Sequence, residues 1–253
     1  MNTVSQEKPL LIAIALSHYC EKVRWALDYL DIDYVEENHT PFFHRQYTSR
    51  YGGTSVPVLV AEDKALTDSH DILQYLDSIS EDIKLYPQDP QLRDRVKNLE
   101  KLFDEKLGVA TRLYGYYYAL DKPFSIAIAW GIKAPFMERI KTVLSFPKIP
   151  QLLQQFYNVT PETKDAALKE VKEVFGMVDR ELSSDQKYLV GDCLSTADIT
   201  FAALASPILR PQNHPIYSSE LSKISPERLS VIEELRSTPA GQLAMRMYRE
   251  HRQ

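Results

Sequence analysis

Cysteine is scarce in this chain: only Cys20 and Cys193 occur in 253 residues, far apart in sequence. That is too few for a disulfide framework and suits a reducing compartment, with both residues read as thiols. Positive charge is also in short supply. Thirty Lys and Arg stand against 35 Asp and Glu, a formal net charge of -5, with no long basic block. Neither nucleic acid nor an anionic membrane surface is therefore expected as a partner. No apolar stretch approaches the roughly 18 residues that a membrane helix needs. The run "PLLIAIAL", Pro9 to Leu16, follows Glu7 and Lys8 and so lacks the positive leader of a signal peptide. It reads as a buried strand, and a cytoplasmic location is expected. Zinc and calcium spacings, a phosphate loop, internal repeats and low-complexity tracts are missing too, so no metal is expected. What the chain does have is 44% apolar residues, enough for one large domain or two modest ones.

The order of elements is legible from periodicity. A continuous apolar run begins at Leu10, Val23, Ala26, Leu27 and Leu30 follow at helical spacing, and "DYVEEN" reads as a second strand. After a polar, aromatic segment, "GGT" marks a turn, "VPVLVAED" a strand and "KALTD" its hairpin partner. "SHDILQYLDSI" reads as a helix capped by Asp68 or Ser69, with Ile72, Leu73, Leu76 and Ile79 as its buried stripe. The pattern is βαβ followed by ββα. Pro87 and Pro90 sit among charges in "SEDIKLYPQDPQL", which places a linker at about 83–91 between a small α/β domain (1–82) and a larger one (92–253). The larger domain is read as all-helical, from stretches 92–120, 134–143, 162–182 and 196–209 at three- and four-residue spacing.

Four pieces in order, "SHYCEKVRWAL", "GGTSVPVLV", "LTDSHDILQYLD" and "YLVGDCLSTADITFAAL", resemble the glutathione transferase family. The first three fill that family's thioredoxin-like, glutathione-binding domain in the right order. The fourth matches the capping motif of its helical-bundle domain. Between Tyr114 and Pro161 no motif of the family stands out. The resemblance implies glutathione as co-substrate, a small hydrophobic electrophile as the second substrate, and a homodimer in which the small domain of one subunit packs on the helical domain of the other.

Within "SHYC", Ser17 stands where the resemblance puts an activating serine in several classes and a nucleophilic cysteine in others. A thiol titrates near ~8.5, so holding it ionised at neutral pH requires roughly 2.7 kcal/mol. A hydroxyl donating to the thiolate supplies about 1.5–3 kcal/mol, and the positive end of the helix dipole adds to it. Cys20 shares a helix side with Val23, Leu27 and Leu30, so its thiol is expected in the core and inert. Taken alone, "SHYC" reads as a serine N-cap with a core cysteine, and a thiol-transfer chemistry on Cys20 is the alternative. His18 is expected to be a solvated residue at the helix start.

Pro57 cannot donate to a ladder and belongs at a strand start, an edge or a turn. By resemblance it is the cis proline of thioredoxin-like folds, whose bend offers the N–H and C=O of Val56 to the cysteinyl backbone of glutathione. Ser55 departs from the Lys or Gln of many relatives, which puts one carboxylate contact in doubt. His44 and Arg45 lie where they can reach the glycyl carboxylate, or are merely solvated. Asp68 and Ser69 read as an ordinary helix cap. They equally suit an amino-acid zwitterion, with a carboxylate for the ammonium and a hydroxyl plus free N–H groups for the carboxylate, and by resemblance they hold the γ-glutamyl end.

Ser195 and Asp198 have capping-box spacing and start a helix through the second domain's core, with Cys193 read as structural. In "LYGYYYAL", Tyr114, Tyr117 and Tyr118 share one helix face, with Tyr116 off it. By resemblance this region lines the electrophile's pocket, and core packing is the rival reading. The reading is a glutathione transferase acting in detoxification. A non-catalytic ligand-binding member of the fold is the alternative outside enzymology.

Overall fold

The computed structural model describes residues 8–62, 64–182, 186–216, 221 and 224–252. The apolar run forms β1 (Leu10–Ala13), followed by α1 (His18–Tyr29), β2 (Val35–Asn38), the short α2 (His44–Thr48), β3 (Val58–Ala61), β4 (Lys64–Leu66) and α3 (Ser69–Ile79). The sheet order is β2-β1-β3-β4. β1 pairs parallel with β2, Leu10 opposite Val35, and antiparallel with β3, Ile12 opposite Val58. Leu11, Ile12 and Ala13 are all buried, as a strand inside the sheet and covered on both faces requires. The edge strand β4 carries the exposed Lys64 and Ala65. The βαβ-ββα order read from the sequence is the order found.

The helical part begins with α4 (Pro90–Leu102), which runs through a π turn, Phe103–Leu107, into α5 (Gly108–Ala119). A single regular helix was expected over 92–120. Leu99, Phe103 and Leu107 are buried at successive four-residue steps, and each such step drifts about 40° around a 3.6-residue helix. The wider turn cancels that drift and keeps all three on one face. Beyond it lie α6 (Pro123–Trp130), α7 (Phe136–Leu144), α8 (Ile149–Tyr157), α9 (Pro161–Glu181), α10 (Thr196–Leu209), α11 (Pro226–Ser237) and α12 (Pro239–His251). α10 is apolar all round and runs through the interior, with Ile199, Phe201, Ala202 and Leu204 at 0% exposure. Asp198 accepts from the N–H groups of Ser195 (3.0 Å) and Leu189 (2.7 Å) and from the Ser195 hydroxyl (2.7 Å), the capping arrangement its spacing foretold.

α1 is buried well beyond a single stripe, because α10 and α3 both pack against it. Its charged residues therefore have partners. Glu21 receives Arg252 at 2.7 Å, Arg24 pairs with Glu36, and the Lys22 ammonium lies 2.9 Å from Glu100 on α4 and 2.8 Å from Asp104 in the π turn. Burial opposes the charge on Lys22, and the two carboxylates more than offset it, raising its pKa. Glu100 also accepts from the Tyr86 hydroxyl at 2.6 Å and faces the His70 ring at 3.1 Å. Burial alone would raise the Glu100 carboxyl, yet Lys22, His70 and Tyr86 bring it down to about 2.

Removing one partner of such a buried pair strands the other. Lys22→Met is expected to destabilise the protein by about 3–5 kcal/mol in urea titration. Because the Glu100 pKa is depressed on folding, its contribution is complete above the ordinary 4.5 and is lost as pH falls toward about 2. The decline in melting temperature over that window should flatten in Glu100→Gln.

Candidate functional site

The start of α1 lies beside the cis Val56–Pro57 bond, on the floor of a cavity of about 900 Å³. Ser17 is the N-cap of α1. Its Oγ accepts the N–H of Cys20 at 3.3 Å, which leaves the hydroxyl proton available to an anion in the cavity. Ser55, Val56 and His44 line the same cavity. Among the described residues no backbone hydrogen bond engages Val56, so its N–H and C=O are open to an extended peptide. His44 is tied by a 2.9 Å hydrogen bond to the Pro41 carbonyl, and burial lowers its pKa, so the ring is neutral near pH 7. Arg45 is exposed and outside the lining.

A smaller cavity of about 290 Å³ opens beside the first and shares Tyr19, Ser55, Val56 and Arg112 with it. Here Asp68 caps α3, accepting the His70 N–H at 2.8 Å, with Ser69 next to it and Asp104 and Glu105 across the gap. Carboxylates, a helix start and a guanidinium thus share one small space, a suitable place for a zwitterion.

Cys20 is fully buried, and burial raises its thiol pKa, against the smaller opposing effects of Arg24 and Ser17. Cys193 is exposed, contrary to the structural role expected of it. His18 differs from expectation as well. It is 5% exposed, its Nε2 donates to the Gly108 carbonyl at 2.9 Å, and burial drives its pKa to about 3. His18 is not solvated, because the α4–α5 rod packs over its side of the helix start while Ser17 keeps the other side open to the cavity.

The tyrosines sort differently from their predicted face. Tyr114 is 1% exposed and continues the core stripe of Phe103, Leu107 and Ala110, so it lies outside the cavity lining. Tyr117 also lies outside and packs under the Lys164 ammonium. The α5 residues that line the cavity are Arg112, Gly115, Tyr116 and Ala119, a 3–4–7 spacing from Arg112, together with Thr111 and Tyr118, so of the three expected tyrosines Tyr118 alone lines it. Trp130 and Tyr157 complete the aromatic wall.

Sequence reasoning passed over Tyr19, inside the first motif, and Arg112. The Tyr19 hydroxyl donates to the Asp104 carbonyl at 2.6 Å, and burial pushes its pKa up to about 12. A Cβ on Gly108 would sit 2.7 Å from the Tyr19 ring carbon bearing the hydroxyl. A glycine inside an otherwise good helical pattern is the one signal that pointed to this close approach.

The glutathione S-transferase N-terminal domain model matches residues 11–84, and the C-terminal domain model matches residues 135–216. A curated relative, glutathione S-transferase U6 of Arabidopsis thaliana, is 42% identical over 52 residues, a match spanning 21% of this chain and 23% of that protein. Solved structures share the fold at low identity. A glutathione S-transferase from Methylobacterium radiotolerans JCM 2831, in complex with glutathione sulfonate, is 18% identical, with 94% of each chain covered and a TM-score of 0.54. The beta-etherase LigF from Sphingobium sp. strain SYK-6 is 20% identical, with 94% of this chain and 99% of that one covered and a TM-score of 0.59. With both domain models matched in order on a four-stranded mixed sheet and a helical second domain, the chain belongs to the glutathione S-transferase family.

Proposed function

We propose that the protein conjugates glutathione to a hydrophobic electrophile, with Ser17 as the group that holds the thiolate. The observation that carries this reading is the meeting of the Ser17 hydroxyl, the Val56 backbone and the zwitterion-sized cavity at Asp68 and Ser69 while Cys20 is sealed. Relatives of the same fold crystallised with glutathione support glutathione as the co-substrate. The γ-glutamyl ammonium meets Asp68, its carboxylate meets Ser69 and the start of α3, and the cysteinyl backbone pairs with Val56. The thiol releases its proton to solvent, and the Ser17 O–H and the positive end of α1 stabilise the sulfur anion. The thiolate then attacks the electrophilic carbon. A carbon–sulfur bond forms, and either the leaving group departs with its electron pair or the adduct carbanion takes a proton from water. Tyr116, Tyr118, Trp130 and Tyr157 hold the electrophile's apolar body. Among the described residues no helix is long and apolar enough to cross a membrane, and no metal-holding cluster occurs. A cytoplasmic, detoxifying role and a homodimer belong to the same reading.

Ser17→Ala should lower kcat/KM for conjugation by up to about 10²-fold with an unchanged melting temperature, the loss of one charged hydrogen bond. Asp68→Ala should weaken glutathione about 10–10²-fold in titration calorimetry. Unchanged conjugation in the first variant would remove Ser17 from the mechanism, and unchanged affinity in the second would leave Asp68 and Ser69 as a helix cap alone.

The Cys20 alternative predicts an accessible, acidic thiol. We expect instead that a disulfide reagent titrates a single thiol quickly in the native protein, that Cys193→Ser removes this reaction, and that Cys20 reacts only on unfolding.

Sedimentation velocity at micromolar concentration should give about twice the 29.1 kDa chain mass. A purely monomeric species would contradict the dimer.

A further inference from the structure

Large apolar side chains that reach the surface singly are ordinary, whereas a contiguous group of them marks a contact surface. Among the described residues, eight of the thirteen exposed ones fall between Phe124 and Tyr157. α7 carries the densest group, Phe136 (70% exposed), Met137, Ile140 and Leu144 (75% exposed). At the helical rotation per residue these four share an arc of about 100°. The opposite face holds Glu138 and Thr142, both buried. Glu138 accepts from the His39 ring at 2.9 Å and from the Thr40 N–H at 3.1 Å, and the Thr142 hydroxyl donates to that of Thr40 at 2.9 Å. α7 is therefore amphipathic in the inverted sense, polar inward and apolar outward. Its buried bonds hold it so, since turning the helix over would break them and leave buried polar groups unpaired. The apolar face continues past Leu144 to Phe146, whose ring meets that of the exposed Phe124 on α6 at 5.5 Å.

Charge says what such a face fits. Residues 123–157 contain Lys133, Arg139, Lys141 and Lys148, all exposed, against the single acid Glu138, which is buried. The formal net charge of -5 that argues against an anionic surface is an average over the chain, and this segment departs from it in sign. Among the described residues Lys133 alone of these four has an acidic partner, Glu36 at 3.8 Å. Arg139 and Lys141 flank the apolar arc on its two sides. The Lys141 ammonium stands 5.6 Å from the Phe43 ring centre, and the Arg139 stem lies against Gly131, where a Cβ would come within 3.1 Å of Cγ. Stems laid along the protein leave the charged ends at the rim of the stripe. A second copy meeting this face by two-fold symmetry would set like charges against each other. A bilayer with anionic headgroups offers hydrocarbon to the stripe and negative charge to its flanks.

We infer that the outer face of α7, with the adjoining Phe124 of α6, docks on an anionic lipid bilayer. Phe136, Met137, Ile140 and Leu144 enter the boundary between headgroups and acyl chains, and Arg139, Lys141 and Lys148 meet the acidic headgroups. The inference needs no catalytic group and stands apart from the transferase reading.

The test is flotation of the full chain with two kinds of vesicle at low salt, one of phosphatidylcholine alone and one containing about 30% phosphatidylserine as well. Partitioning into the acidic vesicles should be about tenfold stronger and should fall severalfold at high salt. Phe136→Ser combined with Leu144→Ser should weaken it about tenfold at an unchanged melting temperature, because both side chains are exposed. Lys141→Gln combined with Lys148→Gln should bring the two vesicles close to equality. Phe136→Trp should add emission that shifts to the blue on the acidic vesicles and is quenched by lipids brominated in their acyl chains. If the serine pair lowers the melting temperature, the glutamine pair and the tryptophan decide.

Absence of partitioning, equal partitioning into both vesicles, or full binding by a stably folded serine pair overturns the inference. Sedimentation velocity separates the remaining occupant. An association state unchanged in the serine pair supports the bilayer, and loss of an oligomer in that variant gives the face to a second copy and overturns the inference.

Discussion

The Lys22 ammonium reaches out of the small domain to Glu100 and Asp104 on the α4–α5 rod, and the geometry of the site follows from that contact. Ser17 caps α1, and the rod carries Arg112 and Tyr116 a few turns past Asp104, so pinning Lys22 fixes the distance between Ser17 and the aromatic wall of the cavity. Buried ion pairs are poor sources of net stability, since desolvation consumes most of the Coulombic gain. Their strength is in discriminating one docking register from another. An apolar contact between α1 and the rod would tolerate sliding, whereas an ammonium shared by two carboxylates does not.

The same constraint explains why the start of α1 is dry on one side and open on the other. His18 is locked neutral against Gly108, and Tyr19 is anchored to the Asp104 carbonyl, so the rod shields half of the helix terminus while Ser17 keeps the remaining half. A dipole end that is partly desolvated acts on an adjacent anion more strongly than one fully bathed in water. Cys20, one turn further along, has lost contact with solvent altogether.

Elements governed by neighbours in sequence are legible in the chain itself. The strand order of the small domain, the cap at Asp68, the capping box at Ser195 and the inward position of Cys20 all depend on spacings of a few residues. The aromatic wall is only half legible. Four tyrosines in five residues announce an unusual helix, but the choice between Tyr114 and Tyr116 depends on where the core stripe enters from the preceding turn. Arg112, Lys122, Arg210 and Arg228 are opaque: each resembles an ordinary solvated surface charge, and only the packing of separate helices brings them to one cavity. The buried charges of α1 are opaque for the same reason: apart from the Glu21–Arg24 pair within the helix, their partners lie 12 to more than 200 residues away in the chain.

The π turn at Phe103–Leu107 acts as a phase adjuster. In a helix each residue turns the following segment by about 100°, so the residue count in this one turn decides which side of α5 looks inward. With the turn as it stands, Tyr114 goes to the core and Tyr116 to the cavity. A chain one residue shorter there, otherwise identical, would turn another set of side chains toward the cavity while leaving Ser17 and Val56 where they are. The residue count of one turn thus sets both which side chains of α5 enter the core and which face the cavity, so an insertion or deletion there would have to be matched by new core packing around α5 before it could present a different wall.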